Sequence, residues 1–169
     1  MRVLLGVLNE LAKDEKDQQT DTGKTPDQAI IFSNTVIPNS FILQFSFRST
    51  SSWGETSIGV FQGDDLKTGY HLVYQASPAD NRPMQLVRYR YSKPYIVDEV
   101  RENVPDLDDG TDHIIQFKRV SNGDMVVTVD GNEVLRASDL SYQDDFTGIA
   151  IINSGGSYSY DNIELFIEQ

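Results

Sequence analysis

The chain offers few residues for covalent chemistry and many for recognition. It has no cysteine and two histidines, His71 and His113. Thiol nucleophiles, disulfides and zinc–thiolate sites are therefore excluded, and so is a histidine-rich metal site. No Gly-x-Ser-x-Gly elbow is present, so a nucleophilic serine has no frame. Gly155-Gly156-Ser157 lacks the Lys-Ser/Thr of a phosphate loop and reads as a turn. What the chain does have is eight tyrosines and a single tryptophan. Flat aromatic faces cover the apolar side of a sugar ring, while arginine, histidine and amide groups hydrogen-bond its hydroxyls. Trp53, set between Ser49–Ser52 and Gly54, and Tyr95 are the candidate stacking residues. His71, Gln75, Arg88 and Arg90 are the candidate hydrogen-bonding residues.

Carboxylates are plentiful. With 26 acidic against 14 basic residues the net charge is −12. Such a surface repels phosphate backbones, which argues against a nucleic-acid partner. It suits neutral sugars, metal ions or a basic protein. The run Asp106-Leu107-Asp108-Asp109-Gly110-Thr111-Asp112 is rich in calcium-type oxygens. It lacks the spacing and closing glutamate of an EF-hand, so a hydrated acidic turn is the expectation. Asp161 has the parity of Ile163, Leu165 and Ile167. That parity predicts an inward-pointing carboxylate, which would need a cation or several donors.

Short apolar segments separated by turn residues must position these groups. Alternation predicts strands over 41–48, 57–62, 70–76, 84–91, 95–101, 112–120, 125–129, 133–136, 147–153 and about 157–167. Phe41, Leu43, Phe45 and Phe47 share one face. Parity assigns Tyr70, Tyr74, Tyr89 and Tyr91 to the core side. His71, Gln75, Arg88 and Arg90 then line a polar face together. Asn122-Gly123 and Asp130-Gly131 make tight turns, so 112–136 reads as a meander. Residues 147–153 are apolar on both faces, the mark of a covered central strand.

The length of 169 residues suits one domain. Residues 1–28 form an N-terminal segment with a polar stretch from Asn9, and 29–169 the sandwich domain. The start, through Leu11 and Ala12, reads as a short amphipathic helix or as a first strand. Its apolar stretch is at the short limit for a signal peptide and has no small-residue cleavage site. No apolar run is long enough to cross a bilayer.

The segments Asp112-His113-Ile114-Ile115-Gln116-Phe117, Val127-Thr128-Val129-Asp130-Gly131-Asn132 and Tyr160-Asp161-Asn162-Ile163 resemble the concanavalin A-like lectin/glucanase superfamily. Laminin G-like and 3-keto-disaccharide hydrolase-like domains are the nearest in pattern. One departure is that Thr111 and Asp112 stand where laminin G-like domains usually carry tryptophan. The resemblance implies an all-β, two-sheet antiparallel jelly-roll sandwich. It also implies structural calcium as one partner for Asp161. The glucanase Glu-x-Asp-x-x-Glu motif is missing, which removes the usual pair of catalytic carboxylates.

The expected function is a non-catalytic, lectin-like carbohydrate-binding module of a secreted or cell-surface protein, with a periplasmic location also open. Its partners would be a glycan or polysaccharide and the other domains of a larger chain. The alternatives are a glycoside hydrolase of the 3-keto-disaccharide hydrolase-like type and a structural or protein-interaction domain.

Overall fold

The computed structural model describes residues 2–4, 28–76, 83–102 and 105–167. Twelve strands form the described chain. They are β1 (Arg2–Leu4), β2 (Ala29–Ile37), β3 (Phe41–Ser49), β4 (Glu55–Phe61), β5 (Gly69–Gln75), β6 (Met84–Arg90), β7 (Lys93–Glu99), β8 (His113–Arg119), β9 (Asp124–Val129), β10 (Asn132–Ser138), β11 (Phe146–Asn153) and β12 (Tyr158–Ile167). They build two antiparallel six-stranded sheets. The first has the order β1-β12-β3-β8-β9-β10, the second β2-β11-β4-β5-β6-β7. The expected all-β sandwich is the observed fold.

Alternation explains the core. Phe41, Leu43, Phe45 and Phe47 of β3 all point inward and are buried. Ile58 and Val60 of β4, Tyr70, Leu72 and Tyr74 of β5, and Met84 and Leu86 of β6 meet them from the second sheet. Edge-to-face ring contacts such as Phe47–Tyr74, at 5.2 Å between centroids, knit the layers. A polar bond crosses too: the Thr56 and Tyr160 hydroxyls are 3.0 Å apart.

The expected meander is present as β8-β9-β10. Its turns use positive φ at Gly123 (89°), Asp130 (50°) and Gly131 (79°), the conformations that tight hairpins demand. β11 is covered on both faces, as its apolar sequence predicts, and is an interior strand between the edge strand β2 and β4, one place off the centre of the sheet.

Of the two readings of the start, the structure shows the strand at Arg2–Leu4, paired with Glu164–Phe166. The helix through Leu11 and Ala12 falls outside the described residues. β2 was not expected at all. It is nine residues long and carries no charge.

Candidate functional site

Trp53 sits in the loop from β3 to β4. Backbone bonds fix that loop: Thr50 N donates to Ser157 O at 3.2 Å, and Ala76 N donates to Gly54 O at 3.0 Å. Ser51 Oγ donates to Trp53 O at 2.7 Å, and Tyr158 Oη donates to the same carbonyl at 3.2 Å. The indole is 63% exposed, yet it is not free to swing. Gly155 lies beneath it, close enough that a Cβ there would fall 2.5 Å from the ring. Gly155 also has φ +99°, which favours glycine. Gly155→Ala is expected to lower the melting temperature and to shift the fluorescence of this sole tryptophan. An unchanged emission spectrum would show that the ring does not rest on the turn.

Four polar side chains stand beside it at the ends of successive strands. Ser154 N bonds Glu55 O at 2.8 Å, and Glu55 pairs with Gln75 in the β4–β5 ladder. Gln28 Nε2 donates to Ser154 Oγ at 3.0 Å. Gln28, Glu55 and Gln75 are exposed and Ser154 is half-buried. They form a polar row along one end of the second sheet, on its outer side. Sequence reasoning found Trp53 and Gln75 but missed Gln28, Glu55 and Ser154. The strand order β2-β11-β4-β5 brings them together, and no local pattern encodes it.

The other expected ligand residues lie elsewhere. His71 is on the outer face but is 0% exposed. It sits across from Gly59, where a Cβ would come within 2.7 Å of its ring, and its ring meets Tyr89 edge-on at 5.5 Å. Neither ring nitrogen finds a hydrogen-bond partner. Burial pushes its pKa down to about 4, outweighing the opposing influence of the Leu66 backbone and Asp65. It is therefore a buried neutral ring, not a ligand-facing one. Phe61, Val73, Val87, Ala150 and Ile152 are also buried on this outer face, so it is apolar where a polar platform was expected.

Arg88 and Arg90 take the opposite face from His71. Tyr70 pairs with Arg88, and His71 pairs with Val87. Paired residues share a face, so Arg88 sides with the inward Tyr70 while Tyr89 turns outward. The alternation of β6 is equally good in either sense, and only its register on β5 decides. Tyr95 pairs with Arg88, whose guanidinium lies 4.7 Å from its ring. Arg88 is engaged further, since its Nη1 donates to Asp139 Oδ2 at 2.6 Å and Ser141 Oγ at 2.5 Å. Tyr70 and Gln75 are five residues apart on β5. At roughly 3.4 Å per residue this separates Arg88 and Tyr95 from Trp53 by about 17 Å along the strand. The six expected residues do not form one site.

Asp161 is exposed and accepts a 2.7 Å bond from Asn162 N. A bulge between Asp161 and Glu164 reverses the parity of β12. Tyr160 and Leu165 both point inward, and Asp161, opposite Ser46, points out. The expected inward carboxylate points outward instead, so burial gives no reason for a cation at Asp161. Among the described residues no three His, Asp or Glu side chains are grouped to hold a metal ion.

One more polar cluster lines a cleft of about 490 Å³ between Pro105, His113 and the β9–β10 turn. His113 Nδ1 lies 2.8 Å from Asp130 Oδ2 and its Nε2 3.2 Å from Asp109 Oδ1. These carboxylates raise its pKa against the opposing effect of burial. Asp130 also accepts Ile114 N at 2.8 Å. The cluster ties the acidic loop to the sheet.

The fold has well-known counterparts. The carbohydrate-binding module CBM66 from Bacillus subtilis superposes with a TM-score of 0.67 at 11% identity, covering 83% of each chain. The Emp47p carbohydrate recognition domain gives 0.67 at 12%, over 86% of this chain and 80% of that one. Lactose- and MES-liganded congerin II gives 0.62 at 13%, over 83% of this chain and 100% of that one.

The fold is a galectin-like sandwich.

No family model matches the sequence, and no curated protein matches it. At these identities the likeness concerns the fold, so any function must be argued from the side chains.

Proposed function

We propose that this domain is a non-catalytic, lectin-like module that binds a neutral glycan at the Trp53 end of the sandwich. The observation that carries the reading is the exposed Trp53 ring, held against Gly155 beside the row Gln28, Ser154, Glu55 and Gln75. A rigid aromatic plate next to amide, hydroxyl and carboxylate groups is a sugar-binding combination. Stacking covers the C–H face of the ring, and the polar row accepts and donates to hydroxyls. Because the plate is already fixed by its turn, little conformational entropy is lost on binding. The sandwich of carbohydrate-binding modules and lectins supports the same reading.

A glycan array of neutral oligosaccharides tests it. We expect at least one hit, weakened by about tenfold in Trp53→Ala, equivalent to ~1.4 kcal/mol. Circular dichroism should stay unchanged, since the ring is on the surface. An array without hits, or equal binding by Trp53→Ala, would remove the proposal.

A further inference from the structure

The hairpin of β6 and β7 lies at the opposite end of the sheet and differs in charge from the rest of the chain. Between Asp80 and Asp98 the sequence has no acidic residue and four basic ones, Arg82, Arg88, Arg90 and Lys93. Three tyrosines, Tyr89, Tyr91 and Tyr95, alternate with them. In a chain of net charge −12 this is a marked reversal.

The register sorts these residues by face. Arg88 pairs with Tyr95 and Arg90 with Lys93, so two cations and the Tyr95 ring share one side beside Arg88. Arg88 is neutralised by Asp139. Among the described residues neither Arg90 nor Lys93 forms a salt bridge. The Arg90 guanidinium lies 5.7 Å from the Tyr91 ring.

The turn itself is costly. Tyr91 and Ser92 both have positive φ, 51° and 59°, where Asn-Gly would be unstrained. Ser92 Oγ is anchored to Asp65 Oδ2 at 3.0 Å. That carboxylate is also taken by Lys67 N at 3.0 Å and Thr68 Oγ1 at 2.9 Å. The strain sets a tyrosine at the tip, 80% exposed. Strain kept where a less strained sequence was available points to function at that position.

We propose that the β6–β7 hairpin is a second binding site, for acidic polysaccharide, with Arg90 and Lys93 pairing to its carboxylate or sulfate groups and Tyr91 and Tyr95 covering its rings. Arginine and lysine supply charge-assisted bonds to such anions. Aromatic faces supply the contact with the sugar that a bare anion site lacks. This site is independent of Trp53, and a sulfated or carboxylated ligand distinguishes it from the neutral one.

The test measures binding of the whole domain to dextran sulfate and polygalacturonate, with dextran, poly-glutamate and duplex DNA alongside. We expect one or both acidic polysaccharides to bind, more weakly as salt is added. The double variant Arg90→Ala/Lys93→Ala should lose at least tenfold, and Trp53→Ala should lose nothing. Tyr91→Asn/Ser92→Gly should raise the melting temperature by a few degrees and weaken binding. No binding to either acidic polysaccharide overturns the proposal. So does binding that the double variant retains. Equal binding to poly-glutamate or DNA also overturns it, because charge alone would then suffice.

Discussion

Taking the protein from pH 7 to pH 4 is expected to cost about 3 kcal/mol through His71 alone. The ring is wholly buried, and protonation would place a charge away from water that the Leu66 backbone and Asp65 offset only in part. The sign follows from the direction of the shift. The folded pKa, about 4, lies below the ordinary 6.5. The unfolded chain therefore takes up the proton first. Stability is complete above about pH 6.5 and falls as the pH drops towards 4. Lys67 nearby opposes protonation and Asp65 favours it, and neither outweighs burial. His113 acts in the opposite sense. Its pKa is raised, so its contribution is present below pH 6.5 and fades as the pH climbs through the raised value. Urea unfolding at several pH values, in wild type and His71→Phe, separates these effects. The variant should lie within about 1 kcal/mol of wild type at pH 7, as a similar-sized ring swap. It should lose the acid-labile share. Parallel pH profiles for the two proteins would sink the assignment.

Asp139→Ala is expected to cost about 2–3 kcal/mol, the scale for removing the charged acceptor of several part-buried hydrogen bonds. Its carboxylate accepts from Tyr70 Oη at 2.5 Å, Arg88 Nη1 at 2.6 Å and Ser141 N at 2.8 Å. Beneath it lies Arg119, the largest wholly buried side chain among the described residues. Arg119 donates to Asp139 O at 3.2 Å and Tyr142 O at 2.7 Å, and its guanidinium stands 4.9 Å from the Tyr70 ring. The carboxylate thus supplies the negative charge for two guanidinium groups. Burial and this neighbour together raise the Tyr70 pKa strongly, so the phenol stays a donor. Asp139→Asn keeps the shape and removes the charge. It should recover part of the loss, and the difference reads out the electrostatic share. A cost below about 1 kcal/mol for the alanine variant would show that the network is solvated.

The fold was largely legible because alternation is a local property. Phe41 to Phe47 and the turns at Gly123 and Gly131 declare themselves within a few residues. What failed depended on partners far away in sequence. The face of Arg88 is set by its pairing with Tyr70, and the face of Asp161 by one extra residue in β12. Neither leaves a trace in the pattern of its own strand. The candidate glycan site divides the same way. Trp53 was visible as a tryptophan among serines and glycine. Gln28, Glu55 and Ser154 join it only because β11 inserts between β2 and β4. His71 was misassigned because its parity is outward, while its ring is enclosed between Gly59, Tyr89 and the turn carrying Leu66.

The places of β11 and β12 have a consequence for the birth of the molecule. Each is an interior strand, β11 holding β2 to β4 and β12 holding β1 to β3. A ribosome that has delivered everything up to Asp145 has made two sheets with their joining strands missing. Neither β1 nor β2 then has a neighbour to pair with. Closure of both sheets must wait for residues 146–167 to emerge, so β1 and β2 join late, onto the β3-β8-β9-β10 and β4-β5-β6-β7 runs that precede them.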